Sequence, residues 1–255
     1  MARKTTRVPF QETVKLPARG ITNGEESNPI DSVTLRAMTT MEEKMRLSST
    51  SGYKIIPRLI KACLVEPSNL DVENMLMPDI NVLMYRLRAL TYGNEYKVQV
   101  YCPNEEKYVN TVVNLNEIPI NYADETFTGV FELESLPISG DVLTCKMLSP
   151  KDMEKIDREC MRIRKKYPEY IGDPEMIVEW TYKITKINGD DKNPMEIRRY
   201  IEEMHARDLL FLEDKYNEAI SGIGMDLNII DVCPDCGGEL EYTLPITTEF
   251  FRPRY

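Results

Sequence analysis

The sequence has only one histidine and lacks the common catalytic motifs. Its single histidine, His205, lies in the charged stretch Glu-Glu-Met-His-Ala-Arg-Asp, which is typical of a helix surface rather than of a catalytic site. The chain contains no Gly-rich phosphate loop, no Gly-x-Ser-x-Gly elbow and no His-Glu-x-x-His motif. Gly222 and Gly224 are typical of a helix end. We therefore predict that the protein is not an enzyme.

Long apolar runs and a basic excess are also absent from the sequence. No stretch of about 18 apolar residues occurs, so no membrane span is predicted. The opening Met-Ala-Arg-Lys-Thr-Thr-Arg is not followed by an apolar core, which argues against a secretory signal. The formal net charge is −10, and the longest basic cluster, at 162–166, follows acidic residues as at a charged helix end. Neither a membrane nor a nucleic acid is expected as a partner.

The residue pattern predicts an α+β protein with a mostly helical body. Helices are predicted from a capping box at Thr40 and Glu43 to about Leu47, over 54–65, after Pro78 to Gly93, from Ser149 to Lys166, after Asp173, and from Asn193 to about 222. Alternating apolar residues predict a small inserted antiparallel sheet of about four strands, at 96–101, 109–113, 126–133 and 141–148.

These elements divide the chain into four parts that we expect to pack as one unit. They are an extended N-terminal arm at 1–34, a helical part at 35–94, the sheet insertion at 95–148, and a helical part at 149–255 that ends in a Cys-bearing hairpin. In the arm, Pro and Gly break any helical period, and the apolar residues are widely spaced. We predict that the arm contacts another subunit, so that residues 1–30 could be removed without unfolding the body. A frayed terminus is the alternative.

The six cysteines suggest both buried thiols and a metal site. Cys63, Cys145 and Cys160 are scattered through helix-like and strand-like sequence, which fits buried free thiols better than disulfides. The stretch Cys233-Pro-Asp-Cys236-Gly-Gly resembles one half of a zinc ribbon, which needs four ligands. Cys102-Pro-Asn-Glu105 is a degraded second half, with Glu105 where the second cysteine would stand.

Three interpretations of this pattern remain open. A zinc site made of Cys102, Cys233, Cys236 and Glu105 is chemically feasible, since carboxylate oxygen also binds zinc. A metal-free vestige would leave the thiols as small packed side chains. A redox role is less favoured, because redox pairs usually lie at a helix start, whereas Cys236 precedes Gly-Gly and a strand.

Aromatic and basic residues close the sequence. Phe250, Phe251 and Arg252 are of the types that anchor protein interfaces, and we predict that they contact a partner. The alternative is that the two phenylalanines close the core of the protein itself.

Several short motifs, in the same order along most of the chain, resemble the baseplate hub assembly family of T-even-type contractile-tailed phages. They are Lys15-Leu-Pro-Ala-Arg-Gly20, Val33-Thr-Leu-Arg-Ala-Met-Thr-Thr-Met-Glu-Glu43, Leu90-Thr-Tyr-Gly-Asn-Glu-Tyr96, Leu136-Pro-Ile-Ser-Gly140 and the end from Gly224 through the Cys-x-x-Cys turn to Pro253. Relatives carry two complete Cys-x-x-Cys turns, and this sequence departs from them at Glu105.

The resemblance implies a bacteriophage protein of the virion tail baseplate, assembled in the host cytoplasm, that acts by binding other tail proteins. Leu16 and Arg19 of the arm are then candidate contacts, along with the aromatic end. One alternative is a transient assembly chaperone that is absent from the mature virion, which the acidic composition would suit. Another is a zinc-ribbon adaptor that binds nucleic acid, for which Arg252 and Arg254 are the only support.

Overall fold

The computed structural model describes residues 10–22, 29–47, 52–167, 169, 172–244 and 250. Its helices and small antiparallel sheets confirm the predicted α+β class. The helices are α1 (Thr40–Arg46), α2 (Gly52–Cys63), α3 (Met77–Tyr92), α4 (Pro150–Lys166), α5 (Glu175–Lys183), α6 (Pro194–Glu203) and α7 (Ala206–Ser221). The strands are β1 (Gln11–Lys15), β2 (Ser32–Arg36), β3 (Leu64–Glu66), β4 (Glu95–Cys102), β5 (Lys107–Asn114), β6 (Ile120–Asn121), β7 (Val130–Glu132), β8 (Leu143–Lys146), β9 (Ile184–Ile187), β10 (Asp190–Asp191), β11 (Gly224–Met225), β12 (Asn228–Val232) and β13 (Glu239–Thr243).

The described part of the predicted arm is extended, but its strand partner lies in this chain. β1 pairs antiparallel with β2, and β2 pairs with β3. Val14 of β1 is buried because alternate side chains of a strand turn towards the core, and Leu16 and Ala18, in the turn that follows, are buried as well. This corrects the expectation that the arm finds its partners on another subunit. It also means that removing residues 1–30 would delete β1 and part of the core.

The strands at 95–148 do not form the single sheet that the sequence predicted. β4 and β5 form a two-stranded hairpin, while β7 and β8 belong to a four-stranded sheet of order β10-β9-β8-β7. β6 pairs with β11, from far along the chain. Alternation of apolar residues identifies a strand but does not say which strand pairs with it. The partner of β8 is β9, which lies beyond α4 and α5 in the chain.

Most of the predicted helix starts are confirmed. Ser149 and Asp152 form the capping box of α4, and Asn193 and Glu196 form that of α6. At α1 the box is one residue earlier than predicted: Thr39 is the N-cap and Glu42 the partner, instead of Thr40 and Glu43. Because two threonines and two glutamates are adjacent in the sequence, the spacing of a capping box fits both Thr39 with Glu42 and Thr40 with Glu43. The Arg36 guanidinium favours the first pair, since it binds Glu42 at 2.9 Å.

Two large hydrophobic clusters hold the fold together. The first surrounds α3 and joins β1, β2, α2 and the inner faces of β4 and β5. The second joins the β7–β10 sheet to α5, α6 and α7, with Trp180 and Tyr216 in edge-to-face contact. Within the described ranges, no helix combines the length and the apolar character needed to cross a membrane.

Candidate metal centre

Two β-hairpins, β4–β5 and β12–β13, pack face to face and bring their turns together. Strands β4 and β13 alternate apolar and polar residues, so each hairpin contributes a strand with an apolar inner face. Thr111 of β5 also donates a hydrogen bond to Asp231 of β12, with 2.6 Å between Oγ1 and Oδ2. The buried side chains between the hairpins are Val100, Cys102, Val109, Cys233 and Leu240.

The turn after β12 is shaped by its backbone. Cys233 N–H donates to the Gly238 carbonyl at 2.7 Å, and Gly237 N–H donates to the Cys233 carbonyl at 2.9 Å. Gly237 has a φ of +72°, which glycine adopts without steric cost. Gly238 N–H points at the Cys236 sulfur, 3.4 Å away. The turn therefore directs amide groups at its own thiols, as predicted for such a motif.

Three thiols from the two turns meet at one point. The sulfurs of Cys102, Cys233 and Cys236 all lie within 4.8 Å of one another, and those of Cys102 and Cys236 are 3.7 Å apart. A tetrahedral site with Zn–S bonds of about 2.3 Å has sulfurs roughly 3.8 Å apart. Cys102 and Cys233 are buried, whereas Cys236 is exposed. The cluster could therefore hold a metal ion that prefers soft ligands, with its open side at Cys236.

The local electrostatics favour a thiolate at Cys233. The pKa of Cys233 is lowered, chiefly because the backbone N–H of Cys236 points at its sulfur and also because of Asp235 N–H and the Cys102 thiol. At Cys236 the Gly238 N–H lowers the pKa, but desolvation and the neighbouring thiols Cys233 and Cys102 outweigh it, so the pKa is raised. One of the two thiols thus ionises more readily than the other, and a bound cation would favour ionisation of both.

Contacts between the turns involve residues that the sequence analysis did not single out. Lys107 binds Asp235 across the gap at 2.8 Å. Asn104 lies over the Cys236 sulfur, with its Nδ2 4.0 Å away. A Cβ on Gly238 would lie only 2.1 Å from that Nδ2, so a larger residue there would displace the exposed Asn104 side chain from the Cys236 sulfur.

Glu105 is not part of this cluster. Its carboxylate lies outside the group of ligand atoms that meet, and it contacts Lys107 at 3.5 Å instead. The structure thus brings together three of the four predicted ligands. The turn that carries Glu105 is nevertheless the predicted one, immediately after Cys102 at the end of β4.

The predicted protein-binding residues fall in different places. Leu16 is buried in the first hydrophobic cluster. Phe250 is also buried there, with its ring 4.2 Å from that of Tyr85, so it closes the core of the protein itself. Arg19, with a φ of +57°, binds the Asp31 carboxylate at 3.6 Å and donates to the Asp124 carbonyl. Phe251 and Arg252 lie outside the described residues, and their contacts remain a prediction.

The remaining histidine and cysteines have structural roles. His205 is exposed and is the N-cap of α7, where its Nδ1 accepts a hydrogen bond from Arg207 N–H at 3.1 Å. The free thiols of Cys63, Cys145 and Cys160 are buried, as predicted. Burial raises the pKa of Cys63 and of Cys145 to about 12, so both are protonated at neutral pH.

Comparison with known proteins identifies the family of this chain. No curated protein and no solved structure matches it. A family described as T4 bacteriophage base plate protein matches residues 13–252, which include both Cys-bearing turns and both large clusters. The chain therefore belongs to the T4 bacteriophage base plate protein family.

Proposed function

We propose that the protein is a structural or assembly component of the hub region of a phage tail baseplate and acts by binding other tail proteins. The observation that carries this proposal is the family match over residues 13–252. The protein works as a binding component, without catalysis, in the virion tail after assembly in the host cytoplasm. Its partners are other baseplate proteins; the proposal involves neither a membrane nor a nucleic acid.

An exposed aromatic pair supports a binding role. Tyr101 and Tyr108 lie opposite each other on the outer face of β4–β5, with ring centroids 5.5 Å apart. They are 49% and 66% exposed, so neither ring is needed to close the core. Tyrosine is enriched at the energetic centres of interfaces because its large rigid ring loses little entropy on contact.

Replacing both tyrosines by serine should reduce incorporation into baseplates without unfolding the protein. We expect at least about a tenfold loss, since buried interface tyrosines typically contribute about 1–2 kcal/mol each. The measurement is quantitative mass spectrometry of tail particles purified from infected cells complemented with each variant. Circular dichroism of the purified variant would verify folding.

A matched control is Met195→Ser, because Met195 is 83% exposed at the start of α6, away from the hairpins. This variant should incorporate normally. If the double-tyrosine variant is incorporated as well as the wild type, the outer face of β4–β5 does not contact a baseplate partner. Absence of the wild-type protein from finished particles, despite normal particle yield, would favour the transient chaperone instead of a virion component.

The metal centre is the second part of the proposal. Cys102, Cys233 and Cys236 bind Zn²⁺ as thiolates, and Glu105 is the fourth ligand, exchanging its contact with Lys107 for the metal. Three sulfurs within 4.8 Å of one another, with those of Cys102 and Cys236 at the 3.7 Å expected around zinc, support this assignment. The ion would cross-link the two hairpins and so stabilise the surface on which Tyr101 and Tyr108 lie.

Cys236→Ser should abolish most of the zinc content of the purified full-length protein. We expect about one zinc per chain in the wild type and at least about tenfold less in the variant, because a hydroxyl is a far poorer zinc ligand than a thiolate. A chelator should lower the melting temperature of the wild type but not that of the variant. Cys160→Ala is the control, since Cys160 is buried in a separate cluster around α4 and should leave zinc binding intact. Wild-type protein free of zinc after purification in zinc-containing buffer would refute the site.

A further inference from the structure

Two hairpins far apart in the chain have the same construction. Leu16-Pro-Ala-Arg-Gly20 follows β1, and Leu136-Pro-Ile-Ser-Gly140 follows β7, so each stretch lies between two antiparallel strands. Two backbone hydrogen bonds at corresponding places close each hairpin, although the segment between them on the first strand is one residue longer in the second hairpin. They are Leu16 N–H to Asp31 O and Ala37 N–H to Phe10 O in the first, and Leu136 N–H to Asp141 O and Met147 N–H to Gly129 O in the second, each 2.8 Å long.

The third strand of each sheet adds in the same register, including the same irregularity. β3 pairs with β2, and β9 pairs with β8. Each pairing has a register shift after the corresponding threonine, Thr34 or Thr144. A one-residue slip would move every side chain to the other face, so an identical bulge in two sheets is a specific correspondence. The pairs Thr34–Glu66 and Leu35–Leu64 in the first sheet correspond to Thr144–Lys186 and Cys145–Ile184 in the second.

The helix that follows the second strand starts with the same set of polar residues. Both stretches begin with a cationic residue at the end of the strand. The hydroxyl residue that caps the helix is three residues later, and a buried acidic residue is three residues after that. The cation and the acid are 2.9 Å apart in both. The two sets are Arg36, Thr39 and Glu42, and Lys146, Ser149 and Asp152.

A later helix of each half binds the Leu-Pro-x-x-Gly turn of that half. α3 and α7 each have 16 residues, carry a buried aspartate at the third position, and end at a glycine. Asp79 accepts from Ala18 N–H and Gly20 N–H at 2.7 and 2.8 Å. Asp208 accepts from Ile138 N–H and Ser139 N–H at 2.8 and 3.0 Å. Among the described residues, the buried acids are therefore two equivalent pairs, Glu42 with Asp152 and Asp79 with Asp208.

The hairpins that carry the thiols follow this helix in both halves, directly after α3 in the first and after β11 in the second, and they have the same turn. Cys102 pairs with Lys107, and Cys233 N–H bonds to the Gly238 carbonyl, so each turn closes five residues after its cysteine. The fourth residue after the cysteine has positive φ in both, +51° at Glu106 and +72° at Gly237. Glu105 is the third residue after Cys102, and Cys236 is the third residue after Cys233, so the two residues occupy equivalent positions in the two turns.

We infer that the chain contains two copies of one structural unit, residues 10–114 and 129–243. The thiol cluster is then formed by the equivalent turns of the two copies, and position 105 is its fourth ligand position. The second half of this inference rests on the zinc site proposed above. It places the ion at the junction of the two units, where it joins them through one turn from each.

Glu105→Cys in the full-length protein tests the inference directly. The variant should bind Zn²⁺ at least about tenfold more tightly than the wild type, since even the loss of an outer-shell partner typically changes affinity by about 10- to 100-fold. Its Co²⁺ complex should show the intense visible absorption of a tetrahedral site, with stronger sulfur-to-metal charge transfer than the wild type. Affinities would be measured by competition with a chromophoric chelator under reducing conditions.

The matched control is Glu106→Cys, one residue further along the turn. Because position 106 corresponds to Gly237, which carries no ligand, a thiol there should leave zinc affinity within about twofold of the wild type. Tighter binding by Glu105→Cys alone supports the inference. If wild type binds no zinc but Glu105→Cys does, the correspondence holds and the resident zinc site fails.

Two other outcomes would overturn the inference. If the wild type binds zinc and Glu105→Cys binds it no more tightly, position 105 is not the fourth ligand position, although the zinc site stands. If neither protein binds zinc, or if Glu106→Cys tightens binding as much as Glu105→Cys, the proposed correspondence between the turns is wrong.

Discussion

Phe250→Ala should lower the free energy of unfolding by about 3–5 kcal/mol, the usual range for removing a buried phenylalanine. The Phe250 side chain is fully buried, and its ring centroid is 4.2 Å from that of Tyr85 and 4.8 Å from that of Tyr96. The Arg88 guanidinium lies over the same ring, and its Nε donates to the Phe250 carbonyl at 3.2 Å. Truncation would leave a cavity between α3 and β4 that these larger groups cannot fill.

Urea denaturation followed by tryptophan fluorescence and circular dichroism would measure this loss. Phe10→Ala is a matched control, because Phe10 is 81% exposed and its removal should change stability by no more than about 0.5 kcal/mol. If the two variants lose the same stability, Phe250 does not belong to the core, and a role for its side chain at an interface becomes the better explanation.

Asp79→Ala should lower the free energy of unfolding by about 2–4 kcal/mol at pH 5. The Asp79 carboxyl is fully buried and accepts hydrogen bonds from Ala18 and Gly20 N–H. Alanine leaves both N–H groups buried without an acceptor, at a cost of about 1–3 kcal/mol each. The variant should therefore loosen the turn between β1 and β2, and amide hydrogen exchange should show faster exchange at Ala18 and Gly20.

The same residue predicts a dependence of stability on pH. Desolvation raises the pKa of Asp79 to about 7 although the two N–H groups oppose it, so the folded state holds the proton more tightly than the unfolded state. The resulting stabilisation is complete below the unfolded pKa of about 4 and is lost as pH rises through 7. Relative to Asp79→Asn, which does not titrate, the wild type should lose stability as pH rises from 5 to 8.

Chemical denaturation at pH 5, 6, 7 and 8 would measure the free energy of unfolding of the wild type and of Asp79→Asn. Other ionisable groups titrate in both proteins, so the difference isolates Asp79. Asp191→Asn is the control, because the Asp191 side chain is 86% exposed and its replacement should change the free energy of unfolding by no more than about 0.5 kcal/mol. A difference between wild type and Asp79→Asn that stays constant over this range would contradict the raised pKa.

Local signals in the sequence were sufficient for the helices. The start of α4 at Ser149 and that of α6 at Asn193 follow from caps and proline within a few residues, since helical hydrogen bonds join residues close in sequence. The end of α3 at Gly93 is equally local. Even the error at α1 was local: Thr39 and Thr40 are alternatives one residue apart, and Arg36, on the preceding strand, selects the first.

The thiol cluster was partly predictable for the same reason. Cys233 and Cys236 belong to one turn, and Cys102 follows from the similarity of its own turn, so all three clustered thiols were found from sequence. The side-chain position of Glu105 was not, because the ion pair between Lys107 and Asp235 depends on how the two turns meet. Tyr101 and Tyr108 were not recognised as an exposed pair, since the register of β4 with β5 places them together.

The sequence by itself determined the α+β class, the helix ends, the thiol-bearing turns and the resemblance to baseplate proteins, because these depend on residues within about one or two turns of each other. Only the tertiary structure decided that β1 pairs inside the chain, that β8 joins β9, and that Phe250 fills the core. It alone also showed the matching registers and ion pairs from which we infer two similar units. Strand partners and buried carboxylates are chosen by contacts between residues far apart in sequence, where burial and hydrogen bonding are shared by both partners and neither stretch specifies them alone.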